Sequence, residues 1–230
     1  GKAYSGSVNT TSGFSIIKYL GNGSSGHTIP HHLSAVPQFI VVKSLDRGTN
    51  WITYQAPLGA GKFLRLNQTN AESTSSSRWN DTTPTSTVFT VGNDGDLNNN
   101  DENYIAYIIA NVQGYSKIGS YVGNGNADGT FVYTSFKPAW IMIKVTSTTS
   151  NWGMFDNKRL GFNPKNEFVR ANETAAESSD YDGIDFLSNG FKLKTTSTLV
   201  NAAQTYIYMA FAENPFVTST DNGSIPATAR

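Results

Sequence analysis

The sequence predicts an all-β fold made of two tandem, jelly-roll-like β-sandwich modules of about 100 residues each. Three observations carry this prediction. Short apolar runs of strand length are separated by Gly-, Asn- and Pro-containing turns. About three residues in ten are Ser, Thr or Asn, which suits strands with polar outer faces and many turns. The same order of residues also occurs twice, and no sustained 3.6-residue period indicates helix.

The repeat is visible in matched segments. The motif 19–23, Tyr-Leu-Gly-Asn-Gly, returns at 121–125 as Tyr-Val-Gly-Asn-Gly, and Asn-Trp at 50–51 returns at 151–152. The offset stays at roughly 101 to 105 residues throughout, so the two copies are collinear. One large sandwich with two pseudo-symmetric halves remains an alternative. The predicted organisation is an N-terminal lead (1–12), a first repeat (13–112), a second repeat (113–217) and a polar tail (218–230).

Each repeat is predicted to contain the same six strands. The first strand ends in a Gly-Asn-Gly turn, and the second is an apolar run too short for a helix. The third and fifth alternate apolar and polar residues, the fourth follows the third closely, and the sixth closes the unit. The predicted strands are 14–19, 39–43, 51–54, 63–66, 88–91 and 104–110, then 115–121, 140–145, 152–155, 168–171, 190–194 and 206–212.

Composition excludes several kinds of function. Seventeen basic and seventeen acidic residues give zero net charge, which removes the electrostatic term that binding to nucleic acid or to an anionic membrane requires. The absence of cysteine excludes disulfides, thiol catalysis and zinc–thiolate sites. No run of 18 apolar residues predicts a transmembrane helix, so we expect no membrane insertion.

Two aromatic residues in polar loops are the candidate ligand-binding residues. Trp79 aligns approximately with Tyr181, and the loops around them are rich in Ser, Asp and Thr. An aromatic ring in such a loop can stack on a sugar, or it can close the end of the sandwich. The other repeated aromatic residues lie on predicted strands, and we interpret them as core.

One acidic, amide-rich stretch is the candidate metal site. Asp94, Asp96, Asn98 and Asn100 fall at alternate positions, which can turn several oxygens toward one hard cation such as calcium. The EF-hand pattern is not met, and the matching loop of the second repeat has no carboxylate. A polar hairpin loop is the alternative, and we expect no other cofactor.

Two further sets of polar residues are candidates for a site. The three histidines all lie within 27–32, but the second repeat has none there, which favours packing of a loop over metal binding. Glu72 and Glu177 recur beside Arg65 and Arg170, so an ion pair is favoured over the paired carboxylates of a glycosidase. No motif of a known catalytic class is present, and no enzymatic activity is predicted.

The chain resembles a repeated domain of tail-fibre-like proteins of aquatic bacteriophages. The segments that carry the resemblance are 27–43, 114–125, 185–193 and 206–216. The resemblance covers about 13–217, which is nearly the whole chain. In the turn of the first segment, His32-Leu-Ser replaces the Gly-Leu-Gly that is usual in that family. The resemblance implies a virion component and transfers no catalytic residue.

The functional hypothesis is therefore a non-enzymatic protein of the virion surface, a tail fibre or receptor-binding appendage that attaches to host-surface polysaccharide. Its expected partners are other virion proteins and further copies of itself, with a homotrimer favoured. A capsid decoration or head-fibre protein is the first alternative. A cell-surface adhesin or filament subunit is the second.

Overall fold

A computed structural model describes residues 3–179 and 183–215 and confirms that the chain is all-β. Seventeen strands and two four-residue helices make up the regular structure of these residues. The chain divides into two compact units, Gly1–Asn111 and Val112–Arg230. In the part that the structure describes, no helix is long and apolar enough to span a membrane.

The first unit contains a main sheet of seven strands in the order β1-β2-β9-β4-β5-β6-β7, and a two-stranded sheet of β3 and β8. All of the pairings are antiparallel. The elements are β1 (Tyr4–Asn9), β2 (Phe14–Leu20), β3 (His27–Pro30), β4 (Phe39–Ser44), β5 (Ile52–Gln55), β6 (Lys62–Arg65), β7 (Ser73–Thr74), α1 (Ser76–Trp79), β8 (Val88–Val91), α2 (Gly95–Asn98) and β9 (Asn103–Ile109).

The second unit contains a main sheet of five strands and a sheet of three. The elements are β10 (Ser116–Val122), β11 (Phe131–Tyr133), β12 (Pro138–Val145), β13 (Gly153–Asp156), β14 (Phe168–Arg170), β15 (Ile184–Leu187), β16 (Gly190–Leu193) and β17 (Thr205–Ala212). Their orders are β10-β17-β12-β13-β14 and β11-β16-β15, again antiparallel. Five neighbouring strands of the first unit, in the order β2-β9-β4-β5-β6, thus correspond one to one to the five strands of this main sheet. In both units the first of these five strands along the chain pairs with the last.

Each unit has its own hydrophobic core, to which the main sheet and the smaller sheet both contribute. In the first unit Ile29 of β3 and Phe89 of β8 join Ile17 of β2. In the second, Val132 of β11 and Phe191 of β16 take the corresponding places. Burying one face of each sheet supplies the hydrophobic stabilisation, at about 25 cal/mol per Å² of apolar surface.

A pair of stacked tyrosines closes each core beside a turn. Tyr19 stacks on Tyr104 at 5.3 Å between ring centroids, and Tyr121 stacks on Tyr206 at 5.0 Å. The hydroxyl of Tyr19 donates to the Leu97 carbonyl, and that of Tyr121 makes the same kind of bond in its own unit. Burial raises the pKa of both hydroxyls well above the usual value, so both remain protonated donors at neutral pH.

All twelve predicted strands are present, most with ends shifted by one or two residues. Five strands were not predicted: β1, β3, β7, β11 and β15. The predicted N-terminal lead at 1–12 contains β1, which pairs with β2 over six consecutive residues. The predicted tail, 218–230, lies outside the described residues.

Candidate ligand-binding surface

Trp79 is not an exposed stacking residue, which corrects the first expectation for a ligand site. It ends α1 with only 1% of its surface exposed and belongs to the core of the first unit. Its ring packs edge-to-face on Tyr54, with 5.8 Å between centroids. The indole therefore fills the end of the core, and no face of it is open to a sugar. Tyr181, the other candidate, lies outside the described residues.

The four predicted calcium ligands face different partners. Arg78 Nη1 lies 2.6 Å from a carboxylate oxygen of Asp94 and 2.6 Å from one of Asp96. The Arg78 side chain is only 10% exposed and also lies over the Phe63 ring. The arginine cation thus occupies the position between the carboxylates that a metal ion would need. Asp94 additionally caps α2 by accepting a hydrogen bond from the Asp96 backbone N–H.

Asn98 is a structural residue, which corrects its assignment as a metal ligand. It is completely buried, and its Nδ2 donates to the Gly92 and Ser24 carbonyls at 2.7 and 2.9 Å. Its Oδ1 accepts from the Asn22 backbone N–H at 2.9 Å and lies 3.0 Å from His27 Nδ1. Both ends of the amide are therefore already used. Asn100 instead donates to Asp101 at the surface.

The second unit has the same amide arrangement at Asn201. Its Nδ2 donates to the Thr195 and Asn126 carbonyls, both at 2.8 Å, and its Oδ1 accepts from the Asn124 backbone N–H. The loop of the second unit has no carboxylates, yet the amide makes the same bonds. The amide at this position therefore fixes the turn that follows β2 in the first unit and β10 in the second, and metal binding is not needed to explain it.

The histidines have separate structural partners. His31 is buried between the Thr85 carbonyl and the Leu33 backbone N–H, and burial lowers its pKa. His32 stacks on Tyr4 with 5.8 Å between centroids. Across the described residues, no three His, Cys, Asp or Glu side chains gather closely enough to hold a metal ion.

The two repeated glutamates each form an ion pair, as expected, but with different partners from those predicted. Glu72 pairs with Lys62, and Glu177 pairs with Arg159. Arg170 instead has Glu173 at 3.7 Å and lies over the ring of Phe168. Each glutamate is thus neutralised within its own unit.

The outer face of the β11–β16–β15 sheet presents two exposed aromatic rings. Phe131 and Tyr133 lie two residues apart on β11, so both point to the same side, about 6.7 Å apart along the strand. They are 45% and 56% exposed, while Val132 between them is buried in the core. We call Phe131 and Tyr133 the aromatic platform.

Neighbouring groups hold both rings of the platform in place. A Cβ at Gly190 would meet the Phe131 ring at 3.0 Å, so the ring lies against the bare backbone of β16. The Lys117 ammonium lies 5.2 Å from the centre of the Tyr133 ring and donates to the Tyr133 carbonyl at 3.0 Å. Both rings therefore have packing contacts in the absence of a ligand, and such contacts lower the entropic cost of binding.

Charged groups of both signs border the platform. Lys192 is the direct cross-strand partner of Phe131 on one side and of Asp185 on the other. Its ammonium lies 2.5 Å from Asp128, and this contact lowers the pKa of that carboxyl. At neutral pH the platform thus has ammonium donors and carboxylate acceptors within reach of the same ligand.

A long loop lies along the other edge of this sheet, beside β15. Lys165 exchanges backbone hydrogen bonds with Ile184, and the side-chain amide of Asn163 exchanges hydrogen bonds with the backbone of Phe186. The buried Lys165 ammonium binds the Leu160 and Phe162 carbonyls. Phe162 at the loop tip is 69% exposed. The second unit therefore exposes a third large aromatic side chain on a loop fixed by internal bonds.

The first unit has no platform at the corresponding positions. The buried pair Ile29–Phe89 of the first unit corresponds to the buried pair Val132–Phe191 of the second. With this match, Thr28 and Pro30 take the positions of Phe131 and Tyr133. The connection between β5 and β6 is also shorter than that between β13 and β14, which contains Phe162. The cores of the two units thus match while this surface differs. The signal in the sequence is the Phe-Val-Tyr triplet at 131–133, which has no aromatic counterpart in the first repeat.

Comparison with known proteins identifies a family without a described function. No curated protein and no solved structure matches the chain. The profile of one family, the domain of unknown function DUF7483, matches residues 3–215 and so covers both units described above. The chain therefore belongs to the DUF7483 family.

Proposed function

We propose that this chain is a non-enzymatic attachment protein that binds polysaccharide through the aromatic platform of its second unit. The observation that carries the proposal is the exposed pair Phe131 and Tyr133, held in place by Gly190 and Lys117. Exposed aromatics that are rigidly held and bordered by polar groups are typical of a binding surface, because their burial by a ligand removes apolar area from water.

The chemistry of the platform favours a glycan. Pyranose rings present faces of C–H groups that stack on aromatic rings, and two rings on alternate positions of one strand fit successive sugars of a chain. The surrounding ammonium and carboxylate groups of Lys192, Asp128 and Asp185 suit hydroxyl groups, which both donate and accept hydrogen bonds. The zero net charge of the chain favours a neutral glycan over capture of a polyanion.

The proposed location of this activity is the surface of a virion. The resemblance of the chain to tail-fibre-like proteins of aquatic bacteriophages supports a tail fibre or receptor-binding appendage, whose polysaccharide ligand belongs to the host surface. An all-β chain with a hydroxyl- and amide-rich composition is compatible with this role.

The platform predicts a specific pattern of binding on a glycan array. The purified chain should bind a defined set of neutral glycans, and the double variant Phe131→Ala/Tyr133→Ala should bind them about 5- to 150-fold more weakly. This range follows from about 0.5–1.5 kcal/mol for each aromatic contact. Affinities for the best glycan are measured by isothermal titration calorimetry, and blocking of phage adsorption by the purified chain tests the biological role.

Thr28→Ala provides a matched control, because Thr28 takes the place of Phe131 in the first unit. This variant should bind as the wild type does. No binding to any glycan, or equal binding by the double variant and the wild type, would contradict the proposed site. Release of reducing sugar from a bound polysaccharide would contradict the non-enzymatic assignment.

A further inference from the structure

The first strand, β1, forms an open edge of the seven-stranded sheet of the first unit. All six of its residues are exposed. Its pairing with β2 is continuous, from Tyr4 opposite Tyr19 to Asn9 opposite Phe14. Among the described residues, no strand lies on the other side of β1.

The hydrogen bonds to β2 show which backbone groups face outward. The Leu20 backbone N–H donates to the Ala3 carbonyl, so Ala3 and alternate residues after it bond to β2. The peptide groups of Tyr4, Gly6 and Val8 therefore point away from the sheet. They form a row of donors and acceptors for one more antiparallel strand.

This edge has none of the features that usually prevent pairing between molecules. The sequence of β1, Tyr-Ser-Gly-Ser-Val-Asn, contains no charge and no proline, and its register shows no bulge. Natural proteins protect exposed edges with such features or cover the edges. An unprotected edge of six residues indicates that a partner strand covers it.

We propose that the partner is β1 of a second copy of this chain, paired antiparallel about a two-fold axis at Gly6. In this register Gly6 faces its own counterpart, and Tyr4 of each chain faces Val8 of the other. These are the three residues whose peptide groups point outward, so each facing pair exchanges two N–H···O bonds.

The side chains also suit this register. An aromatic ring facing a β-branched side chain is a favourable cross-strand pair, and it occurs twice by symmetry. Tyr4 is already ordered, because it stacks on His32 and its hydroxyl lies 3.2 Å from His32 Nε2. A strand that faces its own copy also requires that no like charges meet, and β1 has no charge to repel.

A two-fold pairing uses the same surface on both molecules, so it predicts a dimer. The resemblance to tail-fibre-like proteins favours a trimer, which would need two different contact surfaces on each chain. Pairing through β1 therefore gives a dimer in place of the trimer expected from the resemblance.

The experiment introduces charged side chains at two exposed serines of β1. In the proposed register Ser5 of one chain faces Ser7 of the other, so Ser5→Asp/Ser7→Asp sets like charges opposite each other. Ser5→Asp/Ser7→Lys instead sets opposite charges there. Sedimentation velocity on the full chain should give twice the monomer mass of 24.9 kDa for the wild type. The Asp/Asp variant should dissociate at least tenfold more readily than the Asp/Lys variant.

Circular dichroism checks that the variants retain the fold of the wild type. A wild-type monomer at every concentration would overturn the proposal, and so would a trimer. Equal dissociation of the two variants would overturn this register. A dimer that forms only after removal of residues 218–230 would show that the tail, and not a second copy, occupies the edge. None of these outcomes depends on glycan binding.

Discussion

At the scale of single residues, the polar side chains that looked most functional hold the backbone in place. Alternate acidic and amide residues predicted a metal site, but a sequence does not show that Arg78 would lie between Asp94 and Asp96. The prediction that Trp79 is exposed for stacking is wrong for a related reason. The polar residues around it do not show that a short helix turns the indole into the core. Local polarity reports the exposure of a segment and not that of each side chain.

Replacing the buried amide of Asn98 should destabilise the first unit strongly. Asn98→Ala leaves the Gly92 and Ser24 carbonyls and the Asn22 backbone N–H without their partner. We expect the free energy of unfolding to fall by about 2–4 kcal/mol, because buried polar groups are left unsatisfied. Urea denaturation followed by tryptophan fluorescence measures this. Asn100→Ala is the control and should stay within about 0.5 kcal/mol of the wild type. A loss below about 1 kcal/mol for Asn98→Ala would contradict the role assigned to the amide.

The buried Lys144 predicts an unusual dependence of stability on pH. The side chain is completely buried, and desolvation lowers its pKa to about 8. The unfolded chain therefore binds more protons than the folded chain between about pH 8 and the usual lysine value of 10.5. Stability should rise with pH across this window, by about 1–2 kcal/mol up to about pH 9.5. Lys165, whose pKa burial also lowers, adds to the same slope.

Urea denaturation at several pH values tests the prediction. Above about pH 10 the trend should reverse, since Tyr19 and Tyr121 have raised pKa values and only the unfolded chain then ionises readily. Lys144→Met removes the titrating group, so its profile should rise less than that of the wild type. A flat or falling wild-type profile between about pH 8 and pH 9.5 would exclude a desolvated lysine.

At the scale of elements, the sequence predicted every central strand, and the five strands that it missed all lie at the edge of a sheet. Strand β4 is an almost continuous apolar run because it lies in the middle of its sheet and is buried on both faces. Strand β1 has only one neighbour and no buried residue, so its sequence carries no alternation to detect. Strand β11 is three residues long, and its exposed rings mimic a core strand.

The two features on which the proposals rest are the aromatic platform on β11 and the open edge of β1. Both lie on edge strands that hydrophobic periodicity does not predict. Edge strands have open backbone groups or open side chains, and these are what a partner or ligand requires. The same exposure removes the hydrophobic pattern from which a strand is predicted. The neighbouring strands therefore had to be placed before the Phe-Val-Tyr triplet could be assigned to an outer face and β1 to an open edge.

At the scale of the whole molecule, we propose that the two units are copies of one module that diverged at their surfaces. The strand order, the stacked tyrosines and the buried amides Asn98 and Asn201 support this. One core position provides a sharper comparison. In the first unit Ile17 faces Ala106, a large residue opposite a small one. At the same place in the second unit the sizes are reversed.

The reversed pair is Gly119 opposite Tyr208, and it predicts compensation between two mutations. Gly119→Ile should clash, because a Cβ there would lie 2.9 Å from the Tyr208 ring. Tyr208→Ala should leave a cavity that costs about 3–5 kcal/mol. The double variant installs the pair found in the first unit, so the new isoleucine fills the space that the ring leaves. We expect a favourable coupling of about 1–3 kcal/mol in a double-mutant cycle measured by urea denaturation. Purely additive losses would mean that the two strand pairs are not equivalent, and would count against a common module.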